Sequence, residues 1–180
     1  MVREVKVVPH NPDWKNQFEA EQQYIQAAMG NNAIAIHHIG STSILQIHAK
    51  PIIDILAEVA DIYRVDTQTS NLEDLGYEAM GEYGIPGRRY FRKWDAVGNR
   101  THHLHVFQTA SPDVERHLHF RDYLIAHPAE AEVYSQLKQH LAALHPYDIE
   151  AYMDGKDGFI QAVEQKAQQW HQASFSKPSF

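Results

Sequence analysis

The chain of 180 residues is 43% hydrophobic, carries a formal net charge of −7 and contains no cysteine. This length and composition predict one domain with a substantial core, and the lack of cysteine excludes disulfides, thiolate metal sites and cysteine nucleophiles. The acidic balance argues against broad nucleic-acid binding, which depends on a positive surface, whereas 13 histidines supply many potential ligands for transition metals.

The sequence contains no sign of a membrane segment. No apolar run approaches the roughly 20 residues that are needed to cross a bilayer. The first ten residues alternate charged and apolar side chains, whereas a signal peptide has a continuous apolar core. We therefore expect a soluble, cytoplasmic protein without a membrane partner, and the sequence makes no prediction of its oligomeric state.

The first predicted elements are a strand and a helix. Residues 4–8 alternate polar and apolar side chains as a half-buried strand does, and Pro9 ends this segment. Asn11 is a typical N-cap residue and Pro12 a typical first helical residue, so a helix is expected to begin there and to end at Gly30. The other predicted strands span residues 33–39, 52–59, 77–80, 89–94 and 101–108.

Helices dominate the last third of the chain. A short helix is predicted at residues 66–75, before a loop rich in glycine at residues 81–87. Pro112 and Pro128 mark two helix starts, because proline is favoured in the first turn, where its missing N–H is not needed. A final helix is expected over residues 155–170.

Strands followed by helices predict an α+β fold, with a mixed β-sheet, flanking helices and a C-terminal helical cap. We expect a single domain over residues 1–180, with the sheet-containing core at residues 1–110 and the cap at residues 111–172. A cleft between the core and the cap is the expected ligand site.

The segment HHIGSTS at residues 37–43 carries the clearest chemical signal. Gly40, Ser41 and Thr42 predict a small turn whose N–H groups and hydroxyls can hold a phosphate, and Lys50 follows it as a candidate phosphate ligand. Asp54 lies on the next apolar strand as a candidate metal ligand. Together these residues suggest nucleotide chemistry, and the alternative is an N-cap turn that binds no ligand.

Ordered motifs along nearly the whole chain carry a family resemblance. They are VPHNPDW at 8–14, HHIGSTS at 37–43, AKPIIDILAEV at 49–59, HHLHVF at 102–107, FRDYLIAHP at 120–128 and GKDGFI at 155–160. The sequence resembles the GrpB family of nucleotidyltransferase-like proteins. This resemblance implies a nucleotidyltransferase-like fold. Because some relatives are fused to dephospho-coenzyme A kinase, it also implies a small-molecule nucleotide or coenzyme precursor as ligand.

In nucleotidyltransferases a Gly-Ser turn holds the triphosphate, and two carboxylates at alternate positions of the next strand bind metal. Asp54 matches the first carboxylate, but Leu56 stands at the second position and cannot bind metal. Glu58 is on the same face as Asp54 but about 13 Å further along an extended strand, too far to share an ion. Leu56 is thus a departure from the nucleotidyltransferase pattern and argues against the standard two-metal arrangement.

His103 and His105 alternate onto one face of the predicted strand at residues 101–108, where a third carboxylate often lies in such enzymes. A His-x-His pair can form half of a transition-metal site. If the pair meets Asp54 across the sheet, we expect a single Mg²⁺, Mn²⁺ or Zn²⁺ ion. The alternative is that the imidazoles bind a phosphate or a carboxylate without metal.

Basic residues are the remaining candidates. Alternation places Arg89 and Lys93 on one strand face, where they could neutralise phosphate oxygens, and a solvated strand edge is the alternative. Lys156 lies where the family pattern also has polar residues, so the cap could turn it toward a phosphate. A surface ion pair is the alternative for Lys156.

We expect a metal-dependent nucleotidyltransferase in which Gly40 and Ser41 hold phosphate while Asp54 and His105 act at the reaction centre. Two other functions stay open. Leu56 favours a nucleotide- or coenzyme-binding module that has lost catalysis. The Asp and His ligands also suit a metal-dependent phosphohydrolase that uses water as the nucleophile.

Overall fold

The computed structural model describes residues 4–175, which contain five strands and five longer helices. The elements are α1 (Asp13–Met29), β1 (Ala33–Ile39), β2 (Ile53–Val59), α2 (Ile62–Glu73), β3 (Tyr77–Ala79), β4 (Arg89–Trp94), β5 (Arg100–Gln108), α3 (Pro112–Ala126), α4 (Pro128–Leu144) and α5 (Ile149–Phe175). Among the residues described, no helix combines the length and the apolarity that crossing a membrane requires.

The five strands form one mixed sheet in the order β1-β2-β5-β4-β3. Only the pair of β2 and β5 is parallel, and the other three pairs are antiparallel. The predicted α+β fold with a mixed sheet and flanking helices is therefore confirmed. The parallel pair requires a long crossover, which α2, β3 and β4 provide.

The two faces of the sheet differ in character. One face carries Ile53, Ile55 and Leu104, which are buried, and α1 and α2 pack on this side. A stacked contact between Phe18 of α1 and His38 of β1, with ring centroids 4.9 Å apart, belongs to the same face. Because side chains alternate along a strand, Asp54, His103 and His105 must point to the opposite face.

The chain forms two compact units. The sheet unit comprises Asn11–Ser43 and Ile52–Glu115. The helical unit combines three separate segments, which are the described residues up to His10, Ile44–Pro51, and the described residues from Arg116 onward. Its main core contains buried residues from the second and third segments, including Ile44, Leu124 and Val163.

Three predicted elements differ from the structure. Residues 4–8 do not form a strand, because only Val8 pairs, through two 2.9 Å bonds with Ala49, and Pro9 has no N–H to continue the ladder. Helix α2 begins at Ile62 instead of residue 66, since the Asp61 side chain caps it by accepting the Tyr63 N–H. Helix α5 begins at Ile149 instead of residue 155, so the two glycines of GKDGFI lie inside a helix.

Candidate metal centre

One carboxylate and two imidazoles meet on the face of the parallel strand pair that points away from α1 and α2. In that pair Asp54 lies beside His103, and Leu56 lies beside His105. Oδ1 of Asp54 is 2.9 Å from Nδ1 of His103 and 4.0 Å from Nε2 of His105. One donor atom from each of the three side chains lies within 4.8 Å of the other two. We refer to Asp54, His103 and His105 as the triad.

The spacing of the triad fits one metal ion. Two ligands that each bind an ion at about 2.1 Å are about 3 to 4 Å apart, depending on the angle between them. The side chains of Asp54, His103 and His105 are 28%, 16% and 15% exposed, so the site is shielded and still reachable from solvent. A carboxylate with two imidazoles suits Mn²⁺ or Zn²⁺ better than Mg²⁺, which prefers oxygen ligands. Three protein ligands also leave coordination positions for a substrate.

His105 is oriented by a neighbouring guanidinium. Nη1 of Arg88 lies 3.3 Å from Nδ1 of His105, and arginine can only donate in such a contact. Nδ1 is therefore the acceptor, and a neutral His105 ring carries its proton on Nε2, which faces Asp54. A metal ion at Nε2 would replace that proton and require Nδ1 to be protonated instead, so Arg88 bears directly on metal affinity.

His103 has one satisfied and one unsatisfied ring nitrogen. Its Nδ1 bonds to Asp54, whereas its Nε2 is buried and has no hydrogen-bond partner among the described residues. A buried polar atom without a partner is rare in folded proteins and lowers stability unless a ligand binds it. This observation agrees with a site that is completed by a bound group.

Tyr90 of β4 packs against both imidazoles. Its ring centroid is 5.7 Å from that of His103 and 5.1 Å from that of His105. Burial raises the pKa of Tyr90 to about 12, and the charge of Asp54 acts in the same direction. The phenol therefore stays neutral near pH 7, so Tyr90 contributes an aromatic surface and not a base.

The glycine turn lies directly beside the triad carboxylate. Gly40 follows β1 with φ +69°, and a β-carbon built on it would lie 2.5 Å from Oδ2 of Asp54. Only glycine adopts this conformation readily and allows this approach. The next residue, Ser41, is partly exposed, and its hydroxyl makes no hydrogen bond to any residue in the described ranges. Gly40 and Ser41 therefore lie where a ligand at Asp54 would meet them.

The other two residues of the turn have internal roles. Thr42 is buried, and its hydroxyl bonds to Nε2 of His38 at 2.9 Å and donates to the Ile52 carbonyl. The hydroxyl of Ser43 donates to the Gly40 carbonyl and closes the turn. The side chain of Thr42, which was a predicted phosphate ligand, is thus already used to hold the turn against β2.

The structure does not bring Arg89 and Lys93 to the triad. Both residues alternate onto one face of β4 as predicted, but this is the face that packs on α1 and α2. Arg89 bonds to Asp66 of α2, and Nζ of Lys93 is 2.8 Å from Oε1 of Glu21 of α1. Their sequence spacing is compatible with either face, and the strand register decides between the two.

Lys50 and Lys156 belong to the helical unit. Their ammonium groups lie 5.5 and 4.7 Å from the centre of the buried Tyr152 ring. Lys156 itself is only 7% exposed. The two residues thus share one aromatic partner, which each contacts through a cation–π interaction.

Sequence reasoning missed Tyr90 and Arg92 as neighbours of the triad. In the β4–β5 hairpin Tyr90 pairs with His105 and Arg92 pairs with His103, so both face the same side as the triad. The available signal was strand parity, but parity assigns a face only when the hairpin register is known. The five residues between these strands do not define that register from sequence.

Comparison with known proteins now identifies the chain. The sequence profile of the GrpB protein family matches residues 4–166. The chain belongs to the GrpB family. A crystal structure of a conserved GrpB protein from Enterococcus faecalis has a TM-score of 0.88 and 43% identity, covering 92% of this chain and 99% of that one. The GrpB fold is therefore shared over nearly the whole described chain.

Two curated relatives are longer than this chain. UPF0157 protein YqkA of Bacillus subtilis is 47% identical over 168 residues, which cover 93% of this chain and 48% of YqkA. A dephospho-CoA kinase of Mycolicibacterium paratuberculosis is 24% identical over 197 aligned residues, covering 97% of this chain and 48% of the kinase. The chain thus spans about half the length of each of these two relatives.

Proposed function

We propose that this chain binds a nucleoside phosphate together with one divalent metal ion and transfers a nucleotidyl group to an acceptor hydroxyl. One observation carries the proposal. The two oxygens of Asp54 serve different neighbours, because Oδ1 faces His103 and His105 whereas Oδ2 lies against the backbone of Gly40. This geometry supports the proposal, because the proposed metal ligand lies directly against the turn that is proposed to bind the phosphate.

Each residue has a defined part in this proposal. The triad would hold the metal, which supplies positive charge to the phosphate oxygens. The backbone of Gly40 and the hydroxyl of Ser41 would orient the phosphate by hydrogen bonds. An acceptor hydroxyl would then attack the α-phosphorus of a nucleoside triphosphate in line and release its proton to solvent, while the bond to the bridging oxygen breaks and pyrophosphate departs. Catalysis of this kind depends mainly on positioning and electrostatic stabilisation.

Phosphoester hydrolysis is the second candidate, and the two imidazoles of the triad favour it. Leu56 is fully buried and offers no second carboxylate, so the site suits one ion and not the pair that polymerase-type transfer uses. Two imidazoles and a carboxylate with open positions are typical of sites that activate water. The same pocket then serves both candidates, which differ only in whether an alcohol or water is the nucleophile.

The relatives guide the choice of ligands. One relative that contains a region similar to this chain is a dephospho-CoA kinase. Dephospho-coenzyme A and coenzyme A both contain adenosine joined to phosphate, so they fit the proposed ligand class. A test panel should therefore contain the four ribonucleoside triphosphates, AMP, dephospho-coenzyme A and coenzyme A.

The first experiment is a thermal-shift panel of these ligands with Mn²⁺, Zn²⁺ or Mg²⁺, followed by titration calorimetry of each ligand that raises Tm. A ligand at 100 times its Kd stabilises the folded state by about 2.7 kcal/mol, which is readily measured. The test variant is Asp54→Asn. The matched control is Glu58→Gln, because Glu58 lies on the same strand and face but bonds to His37, at 2.7 Å.

The proposal expects stabilisation by a nucleotide that requires the transition metal, is lost in Asp54→Asn and is kept in Glu58→Gln. Labelled nucleotide then separates the two reactions, because transfer releases pyrophosphate with a labelled adduct, whereas hydrolysis forms free nucleoside monophosphate. Binding without turnover would leave a nucleotide-binding module and contradict both reactions. Equal ligand stabilisation of the wild type and Asp54→Asn would overturn the role of the triad.

A further inference from the structure

A strained loop ends beside the triad. Residues 81–87 connect β3 to β4, and four of them have positive φ, of which Tyr83, at +46°, is the one that is not glycine. A bulky residue in this conformation is an outlier that the surroundings must enforce, and such outliers concentrate at ligand sites. The conformation of the loop is therefore typical of a segment that forms part of a ligand site.

Arg88 enforces this shape. Its Nε donates to the Glu82 carbonyl at 3.1 Å, and its Nη2 donates to the Tyr83 carbonyl at 2.7 Å. Because Nη1 contacts His105, one buried guanidinium joins the loop to the triad. Arg88 thus fixes the position of the Tyr83 backbone relative to the proposed metal ligands.

The side chain of Tyr83 continues the row of rings that begins with the two imidazoles of the triad and Tyr90. Its ring stacks on Tyr90 with a centroid distance of 5.3 Å and an interplanar angle of 24°. Tyr90 in turn contacts His103 and His105. The Tyr83 ring therefore lies one aromatic ring beyond the triad, yet it is 57% exposed to solvent.

Arginines and a tryptophan continue this surface. The guanidinium carbon of Arg92 lies 5.9 Å from the ring centre of Tyr83 and 5.7 Å from that of Trp94. A register shift between Lys93 and Trp94 pairs Trp94 with Arg100, whose guanidinium lies 4.5 Å from the indole. The extra residue of this bulge is Thr101 of β5, so Arg100 lies beside Trp94 on the face that also carries Arg92. We refer to Tyr83, Arg92 and Trp94 as the aromatic surface.

We propose that the aromatic surface binds the planar base of the nucleoside phosphate whose phosphate lies at the triad. This inference rests on the proposed function and names the part of the substrate that it leaves open. An exposed tyrosine ring and a flat guanidinium both stack on heteroaromatic rings, and neither depends on the pattern of donors and acceptors at the edge of the base. The surface therefore selects nucleotides over simple phosphates while tolerating different bases.

The experiment compares the binding of ATP and of inorganic tripolyphosphate by calorimetry at a fixed, saturating Mn²⁺ concentration. The two ligands share the triphosphate, but only ATP has a base. The test variant is Tyr83→Asn, because asparagine tolerates positive φ and keeps the loop conformation. Tyr83→Phe keeps the ring, and Tyr63→Asn removes an exposed tyrosine of α2, on the other face, as the matched control.

We expect Tyr83→Asn to weaken ATP binding by roughly 5- to 100-fold, the range that loss of one stacked base produces, while tripolyphosphate binding stays unchanged. Tyr83→Phe and Tyr63→Asn should bind ATP as the wild type does. Equal weakening of both ligands in Tyr83→Asn, or equal affinity of the wild type for both, would overturn the base site and leave the proposed function standing. No Mn²⁺-dependent binding of either ligand would overturn the proposed function and this inference with it.

Discussion

The backbone of Gly40 touches the carboxylate of Asp54. A β-carbon at residue 40 would lie 2.5 Å from Oδ2 and 3.0 Å from the β-carbon of Asp54. The Asp54 carboxylate contacts both the turn and the two histidines. Any side chain at residue 40 must therefore displace the proposed metal ligand. The glycine of the HHIGSTS segment is thus required by its neighbour as well as by its own backbone.

Gly40→Ala should therefore weaken metal binding at least tenfold. Gly30→Ala is the control, because Gly30 also has positive φ but a β-carbon there meets no atom within 4 Å. Both substitutions place alanine at positive φ and should lower the free energy of unfolding, by about 1–3 kcal/mol each. Calorimetric titration with Mn²⁺ or Zn²⁺ measures the difference, and equal metal affinity in the two variants would contradict the proposed role of Asp54.

Lys93→Met should destabilise the fold without affecting the triad. The ammonium of Lys93 and the carboxylate of Glu21 form a partly buried pair, with side-chain exposures of 23% and 8%. Removing one partner leaves a buried charge, which lowers the free energy of unfolding by about 3 kcal/mol, and replacing both partners restores much of it. Urea denaturation of Lys93→Met and of the double variant Glu21→Leu/Lys93→Met measures this recovery.

Nucleotide binding by that double variant completes the comparison. If Lys93 serves only to join α1 to β4, a folded double variant binds ligand as the wild type does. A tenfold loss of affinity in a variant of restored stability would show that Lys93 acts on the ligand.

Arg89→Gln should remove a contribution to stability that is present near neutral pH and is lost in acid. The hydrogen bond from Arg89 lowers the pKa of Asp66 below its ordinary value, and burial opposes this effect. A carboxyl with a lower pKa in the folded state stabilises the protein above its unfolded pKa, near 4, and this stabilisation is lost as the pH falls through the folded pKa. The pair is largely solvated, so the effect is at most about 1 kcal/mol.

Urea denaturation at pH 7, pH 5 and pH 2.5 tests this expectation. Arg89→Gln should be less stable than the wild type at pH 7 and pH 5, and the difference should become smaller at the lowest pH. Arg64→Gln is the control, because Arg64 bonds to the neutral side chain of Asn31, at 2.9 Å, and so its loss should not change with pH. A constant difference for Arg89→Gln would contradict the ion-pair explanation.

Two glycines of α5 should respond in opposite directions to alanine. A β-carbon at Gly158 meets nothing within 4 Å, so Gly158→Ala should raise the free energy of unfolding by about 1 kcal/mol, the usual gain inside a helix. A β-carbon at Gly155 would lie 2.5 Å from Cδ2 of Leu141, which is buried against Tyr152. Gly155→Ala should therefore destabilise the protein, and thermal unfolding of the two variants gives the sign directly.

Much of the triad was predictable because it depends on local alternation. His103 and His105 share a face in any strand, and Asp54 occupies the apolar strand that follows the glycine turn. The three side chains meet only if β2 and β5 are neighbouring strands in the observed register. The sequence did not predict this pairing, so the site was stated on the condition that it occurs. Periodicity defines the face of a side chain within its own strand and carries no information about the partner strand.

The basic residues were not predictable for the same reason. Arg89 and Arg92 lie three residues apart, so they point to opposite faces, and only the pairing of Arg92 with His103 identifies the face that belongs to the triad. The pairing of Trp94 with Arg100 depends on a bulge, and a bulge adds a residue without a clear sequence signal. Thr42 was a sound candidate by residue type, but its burial against Ile52 is a tertiary property.

The helical unit consists of three segments that are far apart in the chain, and this affects the order in which the two units can fold during synthesis. During synthesis from the N-terminus, Val8 and Ala49 leave the ribosome long before the helices that complete their unit. The strands of the sheet unit have all emerged by Gln108, so that unit has its full set of strands first. In a nascent chain the apolar segment around Ile44 and Ile47 therefore lacks its packing partners until α3, α4 and α5 have been synthesised.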